Sequence, residues 1–340
     1  MRKPLVLAPL LAVTALVLAG CGTTSVAEPR GGTTAATAEC AKDTTATATG
    51  PVSVTDAIGR TVKLDKPAER VAVLEWQQVE DALTLCVTPV AVADAAGYRQ
   101  WDTSIALPDG VADVGKRQEP NLDALFATKP DLVIVEAQTR DDAIIGQLEK
   151  YGVPVLVTVG ADAKDPLRQL LATFDLIAQA TGRTERAEAV TAELNAHLDT
   201  AKQTIAAAKP ASTDFVYIDG WVDAGTVSLR PFGSGSLIGA IGAELGLTNV
   251  WKGETDPAYG LGSTDIEGMT TIGSATLLHT GTDDPDSTSF IAAAEKNPAW
   301  ASIPAVKEKR VHAFPTGIWT FGGPRSAERI ADAYVDVFGK

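Results

Sequence analysis

The sequence predicts two α/β lobes with mostly parallel sheets, joined by one long α-helix, with a ligand cleft between the lobes. Three features of the 340 residues carry that prediction. Strand-like and helix-like stretches alternate in both halves. Between them, residues 167–209 lack proline, and Val190, Leu194 and Leu198 recur at every fourth position, the spacing of one helical face. The third feature is a weak internal repeat. Asn121-Leu122-Asp123-Ala124-Leu125 leads, nine residues after Asp123, into Leu132-Val133-Ile134-Val135. Asp265-Ile266-Glu267-Gly268-Met269 leads, nine residues after Glu267, into Thr276-Leu277-Leu278-His279.

The chain opens on a processing signal. Arg2 and Lys3 precede an apolar run from Leu5 to Leu18 that ends in Leu18-Ala19-Gly20-Cys21. The run is short for a membrane span and has the anatomy of a secretion signal. The small residues before Cys21 match the bacterial lipoprotein pattern, in which the cysteine is lipidated and becomes the new N-terminus; an ordinary signal cut elsewhere is the alternative. Residues 1–20 are therefore expected to be the signal, with a palmitate-bearing Cys21 holding the protein on the extracytoplasmic face of the cell membrane. Of the 29 residues at 22–50, 20 are Thr, Ala or Gly, a composition that buries no core. Residues 21–50 read as a lipidated, flexible tether, and the body is expected to start near Pro51.

In the body, 52–55 and 61–64 read as a small hairpin around Gly59. Strands follow at 70–75, 89–94, 131–137 and 153–159, with helices at 76–86, 121–129 and 141–151. These form the N-terminal lobe, 51–180. The 166–209 stretch should hold two helices broken near Gly182, the second about 25 residues and so about 38 Å long; it supplies the linking helix, 181–210. The C-terminal lobe, 211–340, carries strands at 214–219, 226–230, 275–280 and 310–314 and helices at 236–245, 264–272, 288–296 and 325–338.

The charge excludes one class of partner. Lys and Arg total 29 against 43 Asp and Glu, a formal net charge of −14, whereas nucleic-acid binding needs clustered cations. His197, His279 and His312 have no metal-ligand neighbour at helical or loop spacing, so each reads as structural. Phe232-Gly233-Ser234-Gly235-Ser236-Leu237-Ile238-Gly239 matches neither a nucleophile elbow nor a phosphate loop. It reads as a tight strand-to-helix turn with Ser236 as helix cap. Nothing selects an enzyme. Besides Cys21 there are Cys40 and Cys86; in an exported chain an even remainder permits a bridge, and the alternative is a buried Cys86 with a free Cys40.

What stands out is aromatic residues and arginines in segments read as strand ends or loops. They are Trp76, Tyr98, Arg99, Trp101 and Arg117 in the first half, and Trp221, Arg230, Tyr259, Trp319 and Phe321 in the second. Open α/β sheets bind ligands beyond the carboxyl ends of their strands. Two lobes contributing such segments would enclose a cleft with aromatic walls and a few cationic anchors.

Several segments resemble one family in close order. Leu74-Glu75-Trp76, Val90-Ala91-Val92-Ala93-Asp94, Tyr98-Arg99-Gln100-Trp101, Asp113-Val114-Gly115, Arg117 and Glu119-Pro120-Asn121-Leu122 are similar to the N-lobe of the hydroxamate-siderophore-binding proteins of ABC importers, the ferrichrome and ferrioxamine type. Asn249-Val250-Trp251-Lys252-Gly253-Glu254-Thr255 and Gly317-Ile318-Trp319-Thr320-Phe321-Gly322 resemble its C-lobe. The resemblance covers about 51–339 and belongs to the helix-linked class of solute-binding proteins. It implies that Arg117 hydrogen-bonds the iron-ligating oxygens, that Trp101 is a pocket tryptophan, and that Trp319 and Phe321 form an aromatic pair. It also implies that Tyr259 stands about where the family has a C-lobe tryptophan. The family's N-lobe tyrosine falls near Thr139, a departure for which Arg230 compensates.

The resemblance further implies that Asp123 and Glu267 dock onto arginines of a two-fold permease, itself driven by an ATPase; helix-dipole electrostatics alone would also explain both acids. It implies a monomer without a cofactor, since hydroxamate oxygens saturate the ferric ion and iron is bound only inside the siderophore. Catecholate siderophore, haem or cobalamin are the alternative ligands in the same fold. An exported hydrolase is a more distant alternative.

Overall fold

The computed structural model describes residues 39–281 and 289–340. The expected signal, Cys21, the tether as far as residue 38 and the first position of the 288–296 helix lie outside the described residues. Among the described residues no helix is long and apolar enough to cross a membrane.

The N-terminal lobe begins with the hairpin β1 (Val52–Thr55) and β2 (Thr61–Leu64), antiparallel and in full register. Its sheet is built from β3 (Val71–Val73), β4 (Ala91–Val92), β5 (Ala112–Asp113), β6 (Leu132–Glu136) and β7 (Val155–Thr158). The strand order is β5-β4-β3-β6-β7, and every pairing is parallel. Residues Val71 to Val73 and Leu132 to Ile134 are fully buried, as befits strands covered on both faces. Helices α1 (Trp76–Thr84), α2 (Ala95–Trp101), α3 (Leu122–Ala127) and α4 (Ala143–Glu149) make the crossovers. Side chains of Glu75, Asp94, Asn121 and Asp142 each accept a backbone N–H at the start of one of these helices.

The central stretch divides as its sequence predicts, into α5 (Pro166–Thr181) and α6 (Thr184–Ala208). Pro166 sits in the first turn, and Gly182 takes the left-handed conformation, φ 70°, that ends α5. Along α6, Ala187 and Val190 belong to the N-lobe core, while Leu194, Leu198, Ala201 and Ile205 belong to the C-lobe core. One helix face thus serves both lobes.

The C-terminal lobe contains β8 (Asp214–Asp223), β9 (Thr226–Phe232), α7 (Leu237–Glu244), β10 (Thr248–Asn249), β11 (Thr276–His279), α8 (Phe290–Ala294), α9 (Pro304–Lys307), β12 (Val311–Ala313) and α10 (Pro324–Phe338). The order β10-β8-β11-β12 is parallel, and β9 pairs antiparallel with β8. Strands expected at 214–219 and 226–230 are thus one hairpin, longer than its pattern suggested. Asp223 pairs with Thr226, leaving Ala224 and Gly225, both at positive φ, as a two-residue turn. The helix expected at 264–272 shortens to a 3₁₀ turn, Gly268–Ile272. Ser236 caps α7 by accepting the Gly239 N–H at 3.0 Å.

The described end of the tether departs from expectation. Cys40–Lys42 is a 3₁₀ turn, and Cys40 is bonded to Cys86 as a disulfide. Asp43 pairs with Arg183, and Glu39 pairs with Arg186 and with Arg325 of α10. Ala48 N–H donates to the Gly182 carbonyl at 2.8 Å. The body therefore starts by Glu39 rather than near Pro51. Composition alone could not reveal this, because the partners are distant in sequence, Cys86 by 46 residues and the three arginines by more than a hundred.

The lobes also meet away from α6. Glu80, fully buried on α1, accepts the N–H groups of Gly323 (3.0 Å) and Ser326 (2.9 Å) and the Ser326 hydroxyl (2.6 Å) at the start of α10. A Cβ on Gly322 would lie 2.6 Å from the Glu80 carboxylate, and one on Gly323 2.2 Å from that of Asp81. The paired glycines let α10 approach α1. Thr103 N–H donates to the Gly317 carbonyl at 2.9 Å.

Candidate ligand-binding cleft

In the N-lobe sheet the strand order reverses between β3 and β6, which is where an open parallel sheet leaves a crevice. Leu74 and Glu75 follow β3, Val135 and Glu136 end β6, and Gly160 follows β7. All five line a cleft of about 660 Å³, and Arg230, Tyr259, Leu261, Trp319 and Phe321 line it from the C-lobe. Such a volume is within the range of small-molecule sites, about 300–1,000 Å³.

Five residues singled out in the sequence meet here: Arg117, Arg230, Tyr259, Trp319 and Phe321. Trp76 lies just beneath. Its indole is 4% exposed and donates to the Asp94 carbonyl at 3.1 Å. The ring is edge-on to Trp319 at 4.7 Å, and the Arg117 guanidinium lies over it at 3.9 Å. Trp319 meets Phe321 edge-on at 5.1 Å, and Phe321 meets Tyr259 at 5.5 Å. The wall is a continuous aromatic chain from one lobe to the other.

Both arginines have a carboxylate of their own. Arg117 pairs with Glu75, which also accepts the Trp76 N–H at 2.9 Å. Arg230 donates from Nε to Asp219 at 2.9 Å, and its other nitrogen completes a fork on the same carboxylate. These two residues face each other in the β8–β9 register. Burial pushes the Asp219 carboxyl up, against the opposing pull of Arg230. The pairs hold the guanidinium planes in place while their remaining donors stay available.

Sequence reasoning missed the carboxylates. Glu75, Glu136 and Asp142 line the cleft beside two guanidiniums. Glu136 accepts from the Tyr259 hydroxyl, a hydrogen bond from lobe to lobe. Burial pushes its carboxyl up, as does Glu75 nearby, while Tyr259, Gln78 and Arg117 oppose the rise. The same burial and Glu136 push the Tyr259 phenol up. A signal existed in the sequence: Glu75 and Glu136 each end a buried apolar run at the carboxyl end of a strand, where α/β ligands bind.

Two expected pocket residues stand elsewhere. Trp101 ends α2 rather than lying in a loop, and it packs against the N-lobe core. The Asp94 cap, accepting Gly97 N–H at 3.1 Å, starts this helix, and a Cβ on Gly97 would lie 2.3 Å from the Trp76 ring. Tyr98 is fully buried, its hydroxyl donating to Ile105. Aromatic residues of that segment therefore anchor a helix. Trp221, 49% exposed, lies on the projecting β8–β9 hairpin opposite Ser228. Asp123 is exposed in the first turn of α3, and Glu267 is exposed just before the 3₁₀ turn at Gly268. Each precedes the strand that pairs with the first parallel strand of its own lobe, β6 beside β3 and β11 beside β8.

Two of the histidines have hydrogen-bond partners: His197 meets Asp332 at 2.8 Å, and His279 Nδ1 meets the Thr280 carbonyl at 2.9 Å. Burial holds His279 below the usual imidazole range. No cluster of His, Cys, Asp and Glu fit for a metal ion occurs among the described residues.

Comparison with known proteins agrees with this architecture. The sequence model of the family described as periplasmic binding protein matches residues 71–316. The chain is 29% identical to the iron(3+)-hydroxamate-binding protein FhuD of Escherichia coli (strain K12), over 76% of this chain and 83% of that one. It is 28% identical to the Fe(3+)-citrate-binding protein YfmC of Bacillus subtilis (strain 168), over 84% of this chain and 85% of that one. Among solved structures, the Fe3+–Desferal-bound siderophore-binding protein FhuD from Vibrio cholerae shares the fold, with a TM-score of 0.66 and 22% identity. That match covers 80% of this chain and 98% of that one.

Proposed function

Because the chain belongs to the periplasmic binding protein family, we propose that it captures ferric hydroxamate siderophores outside the cytoplasm and delivers them to an ABC importer. Proteins of this family bind solutes for transporters and are not enzymes. The reading rests on one observation: each guanidinium of the cleft already carries a carboxylate partner, and acidic side chains outnumber basic ones along the wall.

Relatives at nearly equal identity are named for hydroxamate and for citrate, so similarity alone does not choose. Charge does. Three hydroxamates balance a ferric ion, giving a complex near neutrality, whereas ferric tris-catecholate and ferric citrate are anions. An anion entering this cleft would face Glu75, Glu136 and Asp142, and desolvated like charges repel strongly. A neutral complex needs planar donors for its delocalised oxygens, which Arg117 offers from its seat on Trp76. It also needs apolar cover for its spacers, which Trp319 and Phe321 offer. Haem and cobalamin are the alternatives this reading displaces. Quenching of tryptophan fluorescence tests it: ferric trihydroxamate should titrate Trp319 and Trp76, and ferric dicitrate at the same concentration should not. The reverse order would sink the reading.

Delivery and anchoring belong to the same proposal. Lipidation at Cys21 would hold the protein at the membrane, next to a permease and its ATPase. Asp123 and Glu267, exposed at matching places in the two lobes, would meet basic residues of a two-fold permease. Reversing both charges should abolish uptake through the reconstituted transporter and leave ligand affinity intact. Wild-type uptake would leave those acids a helix-terminal role only.

A further inference from the structure

Glu136 has a setting of its own in the cleft wall. It ends β6, directly opposite Thr158 in the β6–β7 register, and its carboxylate reaches the cleft wall. Tyr259, from the other lobe, donates to Oε1. Beneath it lies Gly160, where an added Cβ would fall 2.3 Å from Glu136 Oε2 and 2.8 Å from the Tyr259 hydroxyl. Any residue but glycine at 160 would displace this pair. Tyrosine, glycine and carboxylate thus form a built arrangement that fixes one acidic oxygen at the junction of the lobes.

The charge around it is unbalanced. Among the described residues, Arg117 is committed to Glu75 and Arg230 to Asp219, and no ion pair is formed by Glu136 or by Asp142, the other acid of this wall. A half-buried carboxylate held by the neutral Tyr259 phenol and Gln78 amide, whose neighbouring cation Arg117 is already paired with Glu75, has capacity for a further cation. Gln78 shares its amide between this region and the Thr158 hydroxyl, which it reaches at 2.9 Å, and brings no charge.

We infer that Glu136 is a specificity-determining residue that receives a cationic group carried by the ligand, a primary ammonium at one end of a linear trihydroxamate. This rests on the hydroxamate reading and sharpens it. The iron–hydroxamate centre would sit against Arg117 and the aromatic wall, and the ammonium would meet the Glu136 and Asp142 side, where a charge-assisted hydrogen bond replaces lost hydration. Complexes identical except for an acylated amine would leave the carboxylate unmatched, and anionic complexes would be repelled by it.

The test is fluorescence titration at neutral pH with two probes, ferrioxamine B, which bears a free amine, and its N-acetylated form. Wild-type protein should bind the amine form about tenfold more tightly or better. Glu136→Gln, which preserves the acceptor for Tyr259, should bring the ratio near one while binding the acetylated form normally. Glu136→Asp and Tyr259→Phe, which keep the charge, should both retain a preference. If Glu136→Gln fails to bind the acetylated probe, Glu136→Ala is titrated with both probes in its place, and a ratio near one supports the inference while an unchanged ratio overturns it. Equal binding of the two probes by wild type, or an unchanged ratio in Glu136→Gln, overturns this inference alone. Failure of wild type to bind either probe overturns the hydroxamate reading and this inference with it.

Discussion

Arg117 shows how a single side chain serves recognition through what holds it. Its carboxylate partner Glu75 caps α1, and the Trp76 indole beneath it begins the same helix. Guanidinium position is therefore inherited from the helix start. Replacing Arg117 by alanine should weaken ferric hydroxamate binding by about 1.5–3 kcal/mol, the loss expected for hydrogen bonds to charged groups. Trp319→Ala should weaken binding by a similar amount, about 1–3 kcal/mol, as a buried aromatic anchor does. Trp319 also packs against the N-lobe core. Its truncation should lower stability too, by on the order of 1–3 kcal/mol for a partly buried ring. Calorimetric titration with thermal melts separates the two effects. Binding by both variants at wild-type strength would show that the cleft lies elsewhere.

The arginine and the aromatic wall were legible in the sequence because chemistry-bearing residue types fall at strand ends. Their pairings were not: Glu75 lies 42 positions from Arg117, and Glu136 lies 123 from Tyr259. Only topology brings them together. Trp101 and Trp221 mark the converse error, since an aromatic residue near a turn can equally anchor a helix or ride a hairpin.

At the level of elements, the α1–α10 contact carries a titratable cost. Asp81 on α1 is fully buried, and neither of its oxygens has a hydrogen-bond partner among the described residues. Burial and then the neighbouring Glu80 push its carboxyl well above the ordinary value of 3.8. Asp102, also buried and beside Glu80, is raised for the same reasons. The folded state thus keeps protons that the unfolded chain releases, so stability falls as pH rises from the ordinary carboxylate range toward these raised values. Asp81→Asn cannot ionise. It should melt higher than wild type at neutral pH, by a stability gain of about 1–3 kcal/mol, with the difference vanishing near pH 4. A variant that melts lower at neutral pH would mean that the ionised carboxylate is stabilising.

Element identity was largely legible, and the reasons are local. Gly182 at positive φ and Pro166 in a first turn bracket α5. The continuous apolar runs of β3 and β6 mark strands buried on both faces. After Asp265, which accepts the Gly268 N–H at 2.8 Å, the Met269 and Thr270 N–H groups reach back only three residues, to Ile266 and Glu267, so the segment is a 3₁₀ turn where the pattern suggested an α-helix.

Across the whole molecule, the lobes are tied by more than their linking helix. Glu80 caps α10 from the opposite lobe, Thr103 bonds Gly317, and Glu39 bridges Arg186 and Arg325. With α6 packed into both cores, wide hinge closure would break several buried hydrogen bonds at about 1 kcal/mol or more each. Solution scattering should therefore give nearly the same radius of gyration, about 19 Å for a body of this size, with and without ligand. A fall of several ångströms would show a mobile hinge.

The central claim concerns which iron complex the cleft selects, and competition reads it directly. The protein is mixed with equal amounts of ferric trihydroxamate, ferric dicitrate, ferric tris-catecholate and haem, and the retained complex is identified by native mass spectrometry. A cleft whose two guanidiniums are already paired, and whose wall is otherwise acidic, should retain the trihydroxamate. Retention of the citrate or catecholate anion in its place would contradict the account.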